Sequence, residues 1–264
     1  MNSISQNINK STVRIVCDNG TGTGFYFCFV NKDIPDQFHP FIVTNKHVIE
    51  GAKEARLRLK LKPNDQGIDY FDLSIQNLSN TFIGHPDPNV DLTIFPLSSS
   101  YAELSKRGLE LDPFFFCDAS ISGTRNLTPV EDIYMTGYPN GLWDEVNNKP
   151  ITRKGITASD VNLDWNGKKQ FMIDMACFGG SSGSPVYVMT EGSFSSGDGI
   201  AIGKRFVFLG VLFAGPQFRV DGSIDIVEVP TSTVAISRTD IMMNLGIVIK
   251  AAELLKFKTL IGIA

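Results

Sequence analysis

Cysteine is scarce in this chain of 264 residues: Cys17, Cys28, Cys117 and Cys177 are the full set. Four scattered thiols are too few to staple a fold of this size, and no pair has zinc-ligand spacing. They read as small buried hydrophobes in a reducing compartment. Long apolar runs are missing as well. The longest, Phe206 to Gly215, falls far short of the ~20 residues that cross a bilayer. The opening Met1-Asn2-Ser3-Ile4-Ser5-Gln6 is polar and has neither the basic nor the apolar region of a secretory signal. These absences point to a cytoplasmic location without a membrane partner. Nor is positive charge in excess. Lys and Arg number 24 against 28 Asp and Glu, a net charge of −4, so no overall basic field draws nucleic acid. In Arg56-Leu57-Arg58-Leu59-Lys60-Leu61-Lys62 charges alternate with leucines, which reads as the wet face of a strand. The three histidines, His39, His47 and His85, show no ligand spacing, so neither a metal nor another cofactor is expected. Gly20-Thr21-Gly22-Thr23-Gly24 lacks the Lys-Ser/Thr of a P-loop and leads into a strand, which rules out a nucleotide site.

What is present is a large share of hydrophobic residues, 42%, with 24 glycines and 13 prolines. That composition buries a substantial core and suits short strands joined by tight turns. Alternating and β-branched runs recur at Val13–Val16, Gly24–Val30, Phe41–Thr44, Leu57–Leu61, Leu92–Phe95, Ile133–Thr136, Pro185–Val188 and Val207–Leu212. Turn residues such as Asp18-Asn19-Gly20 and Pro139-Asn140-Gly141 separate them. Such spacing predicts an all-β sandwich or pair of barrels. The end of the chain differs. From Ser237 onward, Ile241, Leu245, Ile247, Val248, Ala251, Leu254 and Leu255 recur at helical spacing, which predicts a C-terminal helix over 237–257.

Three segments carry chemistry. Gly179-Gly180-Ser181-Ser182-Gly183-Ser184-Pro185 crowds small residues around one serine just before a β run. A nucleophilic hydroxyl needs such crowding, because it must stand on a tight turn where backbone N–H groups converge on an oxyanion. In Thr44-Asn45-Lys46-His47-Val48 a histidine follows the end of a strand. In Val90-Asp91-Leu92-Thr93-Ile94-Phe95 an aspartate leads into one. Singly, each has a structural explanation: a Gly/Ser loop, a surface histidine, a turn aspartate. Together they run His, Asp, Ser, one of the known chain orders of a Ser-His-Asp triad. Asp87, the nearby rival to Asp91, lies between two prolines and reads as a loop residue.

In these segments the chain resembles the trypsin/chymotrypsin clan, in particular the protease domains of bacterial HtrA (Deg) peptidases. Thr44-Asn45-Lys46-His47-Val48 is similar to that family's Thr-Asn-x-His-Val. Asp91-Leu92-Thr93-Ile94 is similar to its Asp-Leu-Ala-hydrophobic strand, and Gly180-Ser181-Ser182-Gly183-Ser184-Pro185 to its Gly-Asn-Ser-Gly-Gly-Pro. Gly22-Thr23-Gly24-Phe25 and Ile151–Thr157 resemble two further strands. The resemblance covers about residues 12–240. It implies two six-stranded antiparallel β-barrels, over about 12–110 and 125–235, followed by the helix, in a single peptidase domain. It implies Ser182 as nucleophile, His47 as general base, Asp91 as its orienter, and the N–H groups of Gly180 and Ser182 as the oxyanion hole. Ala176 would lie at the floor of the primary pocket and Phe213-Ala214-Gly215 would pair with substrate backbone. Without an acid at 176, a small or apolar P1 residue is expected. The partners implied are a protein or peptide substrate and, where the site needs ordering, a protein regulator.

The departures are informative. Ser181 stands where zymogen-activated relatives carry an aspartate, and no Ile-Val-Gly-Gly start is visible, so activation by propeptide cleavage is not expected. Val48 follows His47 where secreted relatives have a disulfide cysteine. Nothing after residue 240 resembles a PDZ domain. The rival reading is a pseudo-protease, the fold kept as a protein-binding module.

Overall fold

The computed structural model describes residues 3–31, 38–121, 127–196, 199–223 and 236–263; for 196, 217–223 and 236–242 it describes the backbone alone. The first lobe holds β1 (Thr12–Cys17), β2 (Gly20–Val30), β3 (Phe38–Thr44), β4 (Glu54–Lys60) and β5 (Tyr70–Gln76), then β6 (Ile83–Gly84), β7 (Thr93–Pro96) and β8 (Phe116–Cys117). They form one curled sheet in the order β5-β4-β1-β2-β3-β7-β6, with β8 running parallel beside β2. The second lobe holds β9 (Asp132–Gly137), β10 (Ile151–Thr157), β11 (Gln170–Asp174), β12 (Pro185–Ser196) and β13 (Gly199–Ala214). With β16 (Leu245–Lys250) these close a six-stranded barrel, while β14 (Gln217–Ser223) and β15 (Ile236–Met242) form a separate ribbon. The fold is mostly β with a short C-terminal helix, as expected. Each strand run read from the sequence overlaps one of these elements, with only Leu61 and Leu92 falling just outside.

Alternation decides the faces. Along β4, Ala55, Leu57 and Leu59 are buried while Arg56 and Arg58 are exposed, the half-wet pattern that Arg-Leu alternation requires. Strand β2 is buried almost throughout, so its Phe25, Tyr26, Phe27 and Phe29 face core on both sides. One cluster fills the first lobe around Ile15, Ile42 and Leu57, and another fills the barrel around Ile133, Phe171 and Val186. A third joins the lobes: Phe25 and Phe116 pack on Phe208 with centroids 5.4 and 4.8 Å apart, and Phe116 meets Tyr187 at 5.6 Å. These edge and tilted contacts add to the area that the rings bury. All four cysteines are free.

The helix expected over 237–257 requires correction. Residues 236–242 and 245–250 are strands, and β16 sits inside the barrel between β11 and β13, so the second lobe reaches beyond residue 235. A 3₁₀ segment, Ala251–Leu255, follows, and the short helix Lys256–Leu260 is the true C-terminal helix. The spacing misleads because β16 is covered on both faces: Gly246, Val248 and Ile249 are all buried, and two-sided burial blurs a period of 2 into an apparent 3.6. Asn244, at φ 56°, supplies the left-handed turn that starts the strand.

Candidate active site

Two loops from different lobes meet at the site. The first follows β3. Thr44 and Asn45 are fully buried, and a short helix, Lys46–Ile49, begins at once, which turns His47 outward at the rim. The second is the tight turn 178–184 that enters β12. Asp91 lies just before β7, and three contacts tie it to the histidine loop. Its Oδ2 is 2.5 Å from His47 Nδ1, its Oδ1 accepts the His47 backbone N–H at 3.1 Å, and its carbonyl accepts from Asn45 Nδ2 at 2.7 Å. Burial alone would raise the Asp91 carboxyl. The His47 hydrogen bond and charge, with the backbone N–H groups of His47 and Lys46, outweigh it and hold the carboxyl below its ordinary value. Lys46 reaches the carbonyls of His85, Asp87 and Pro88, fastening the loop ahead of Asp91. Asp87 caps that loop through Asn89 N at 2.9 Å, as a turn aspartate does.

Thr23, in the Gly22-Thr23-Gly24 run of β2, joins the two loops. Its N–H donates to the Ser182 carbonyl at 2.9 Å, its hydroxyl donates to the Gly180 carbonyl at 2.9 Å, and its own carbonyl accepts from Thr44 Oγ1 at 2.8 Å. Gly183 packs into this junction at φ 86°; a Cβ there would stand 2.0 Å from the Thr23 carbonyl oxygen.

The turn itself packs against the 138–141 backbone. The Gly179 carbonyl accepts from Asn140 N at 2.6 Å. In a trans peptide the N–H points opposite to that carbonyl, so the Gly180 N–H is turned away from Asn140. Among the described residues neither Gly180 N–H nor Ser182 N–H has an acceptor, the condition for donors waiting on a developing charge. Gly180 adopts φ 75° against the 138–141 backbone, where a Cβ would stand 2.6 Å from the Tyr138 carbonyl oxygen. Beneath the turn, Arg153 donates to Ser181 Oγ at 2.8 Å and to the Ala176 carbonyl. Burial lowers the Arg153 guanidinium from its usual range, with the charge of Cys177 opposing. Arg153 therefore braces Ser181 from beneath the turn.

Beside Ser182 lies a cleft of about 130 Å³ lined by Cys177, Phe178, Gly179, Leu212, Ala214 and Gly215. Burial pushes the Cys177 thiol up to about 11, with Arg153 opposing, so this wall is neutral. Ala214 and Gly215 line this cleft. Ala176 is not at the cleft; its carbonyl faces Arg153, and Cys177 takes its place. Phe213 turns to the opposite face, beside Val90, Gln170 and Ile249, because side chains alternate along β13. Ser182 makes no hydrogen bond with His47, whose ring is bonded to Asp91 alone among the described residues. No three His, Cys, Asp or Glu among the described residues converge to hold a metal. No described helix is long and apolar enough to cross a membrane.

The profile of the trypsin-like peptidase domain matches residues 22–194, well over half of the chain, and the chain belongs to that family. No curated protein matches. Among solved structures, the HtrA-type protease AlgW with a tripeptide is similar at 14% identity, covering 98% of this chain and 62% of that one, TM-score 0.51. An inactive form of Rv3671c from M. tuberculosis H37Rv, a serine-to-alanine mutant, shares 17% identity over 96% of this chain and 87% of its own, TM-score 0.44. An inactivated protease paralogue of the scabies mite shares 12% over 96% and 94%, TM-score 0.43. At this identity the likeness to AlgW is one of fold, and the other two are too distant to add to it.

Proposed function

We propose that the protein is a serine endopeptidase that forms an acyl-enzyme on Ser182. The observation that carries this reading is the His47–Asp91 pair. A carboxylate held below its ordinary pKa fixes the imidazole with Nδ1 as the protonated nitrogen, and leaves Nε2 free to take a proton from a serine. In the proposed reaction Ser182 Oγ attacks the scissile carbonyl while His47 Nε2 accepts its proton. The oxyanion is met by the N–H groups of Gly180 and Ser182. His47 then returns the proton to the leaving amine, and water, deprotonated by the same nitrogen, releases the acyl group. The neutral, small cleft beside Ser182 favours a small or apolar P1 side chain. Hydrolysis of a peptide library by wild type and Ser182→Ala tests the proposal. Cleavage after small or apolar residues, abolished in the variant, is the expected result; cleavage that survives Ser182→Ala rejects the nucleophile.

A second reading has one observation in its favour, the missing hydrogen bond between Ser182 and His47: the fold serves as a binding module with its chemistry idle. Such bonds are often long in unliganded sites and tighten with substrate, and a binding module has no use for the His47–Asp91 pair or the open N–H pair. The peptidase reading is therefore preferred.

A further inference from the structure

The largest charge left without a partner near the site is Arg14. It stands on β1 directly opposite Thr23 in the strand register, the residue that joins the two catalytic loops. Its guanidinium lies over the Trp143 ring, 5.3 Å from the centroid. Among the described residues it meets no carboxylate, and its Nε is buried without a hydrogen-bond partner. It opens into a cleft of about 440 Å³ that Arg56, Arg58, Asp72 and Asn148 also line. The other two arginines are already matched: Arg58 is held in a fork by Asp72 at 2.7 and 2.8 Å, and Arg56 by Glu54 at 2.7 Å. The surplus positive charge is therefore that of Arg14.

Gly141 stands between Arg14 and the oxyanion turn. A Cβ on Gly141 would stand 3.4 Å from Arg14 Nη2 and 3.5 Å from Thr21 Oγ1, and the Gly141 nitrogen lies 3.1 Å from where a Cβ on Gly180 would be. The small apolar cleft lies on the other side of Ser182, towards Leu212 and Ala214. A chain that fills that cleft and crosses Ser182 leaves past Gly141 and Thr21. At ~3.3 Å per extended residue, it comes abreast of Arg14 about two to three residues beyond the cleaved bond.

We propose that the Arg14–Trp143 cleft is a leaving-group subsite that takes an acidic side chain of the substrate, an assignment that rests on the peptidase reading above. A guanidinium stacked on an aromatic face keeps its planar edge free, and that edge matches a carboxylate with two parallel hydrogen bonds. Lysine offers a point charge and no such fork.

Peptide binding to full-length Ser182→Ala tests this without turnover. Two peptides spanning the site are compared by fluorescence anisotropy, one with Glu at the second and third leaving-group positions and one with Gln. The Glu peptide is expected to bind about tenfold more tightly, with an advantage that shrinks as salt rises. Adding Arg14→Gln should abolish the advantage, Arg14→Lys should keep only part of it, and Arg56→Gln should leave it in place. Equal affinities of the two peptides, or a preference that survives Arg14→Gln, overturn the subsite. Should Arg14→Gln fail to fold, full retention of the preference in Arg14→Lys overturns the fork geometry on which it stands. Cleavage of both peptides by wild type with equal kcat/KM overturns the subsite and leaves the peptidase standing. A Glu preference in binding with no cleavage by wild type does the reverse.

Discussion

Asp91 grips His47 twice: one carboxylate oxygen takes the backbone N–H at 3.1 Å while the other meets ring Nδ1 at 2.5 Å. The backbone contact fixes where the ring starts and the ring contact fixes which nitrogen carries the proton. Asp91→Asn keeps the shape but lets the amide favour the wrong tautomer. Turnover of a cleaved peptide is expected to fall by about 10⁴-fold, the loss that the same change causes in the template triad, with KM little altered. Steady-state kinetics on a substrate taken from the library check it; a loss under tenfold contradicts the orienting role.

The same pair predicts a pH signature. Asp91 is held below the ordinary carboxylate value in the fold, so it binds a proton less readily folded than unfolded. Its contribution to stability is present above the unfolded value of about 3.9 and is lost as pH falls through the lower folded value. The stability gap between wild type and Asp91→Asn, read from urea midpoints, should close as pH falls below about 4. A gap that keeps growing below that pH contradicts the assignment.

Arg153 braces the turn from below through Ser181 Oγ and the Ala176 carbonyl. Arg153→Met should leave these two acceptors unmet, at about 1–3 kcal/mol each if no water replaces the guanidinium. It should lower kcat more than it raises KM, because Arg153 positions the turn without touching substrate. Arg153→Lys should not rescue, since one ammonium lacks the fork that reaches both acceptors. Rescue by lysine to wild-type kcat contradicts the bracing role.

Thr23→Val removes a hydroxyl of nearly equal volume and leaves the Gly180 carbonyl and the Tyr138 N–H, 3.1 Å from Thr23 Oγ1, without their partner. The expected loss is about 1–3 kcal/mol of stability for the unmet buried groups, together with a fall in kcat as the oxyanion turn loosens. Denaturant melts and kinetics on the same preparation measure both.

Phe208 holds the lobes together through its contacts with Phe25 and Phe116. Phe208→Ala should cost about 3–5 kcal/mol, measured by chemical denaturation. A cost below 1 kcal/mol would show that the interface does not depend on this ring.

Much of the site was legible because its chemistry is local in sequence. The Thr44–Val48 and Gly179–Pro185 stretches each carry a candidate side chain together with the small or buried residues around it, and alternation in Arg56–Lys62 announced β4. The contributions of Thr23 and Arg153 were not legible, since each acts through residues more than twenty positions away and only strand register brings them together. The cleft beside Ser182 is lined by Cys177 and not by its neighbour Ala176, because a one-residue step along an extended chain exchanges the faces. Buried on both faces, β16 gave no period by which to tell it from a helix.

The most direct test of the central claim is labelling with a fluorophosphonate probe, which reports an activated serine without knowledge of the substrate. Intact mass and peptide mapping on wild type, Ser182→Ala and His47→Ala are compared. The account predicts one adduct, on Ser182, absent from the first variant and strongly slowed in the second. Folded wild type that takes no adduct, or an adduct on another serine, would contradict it.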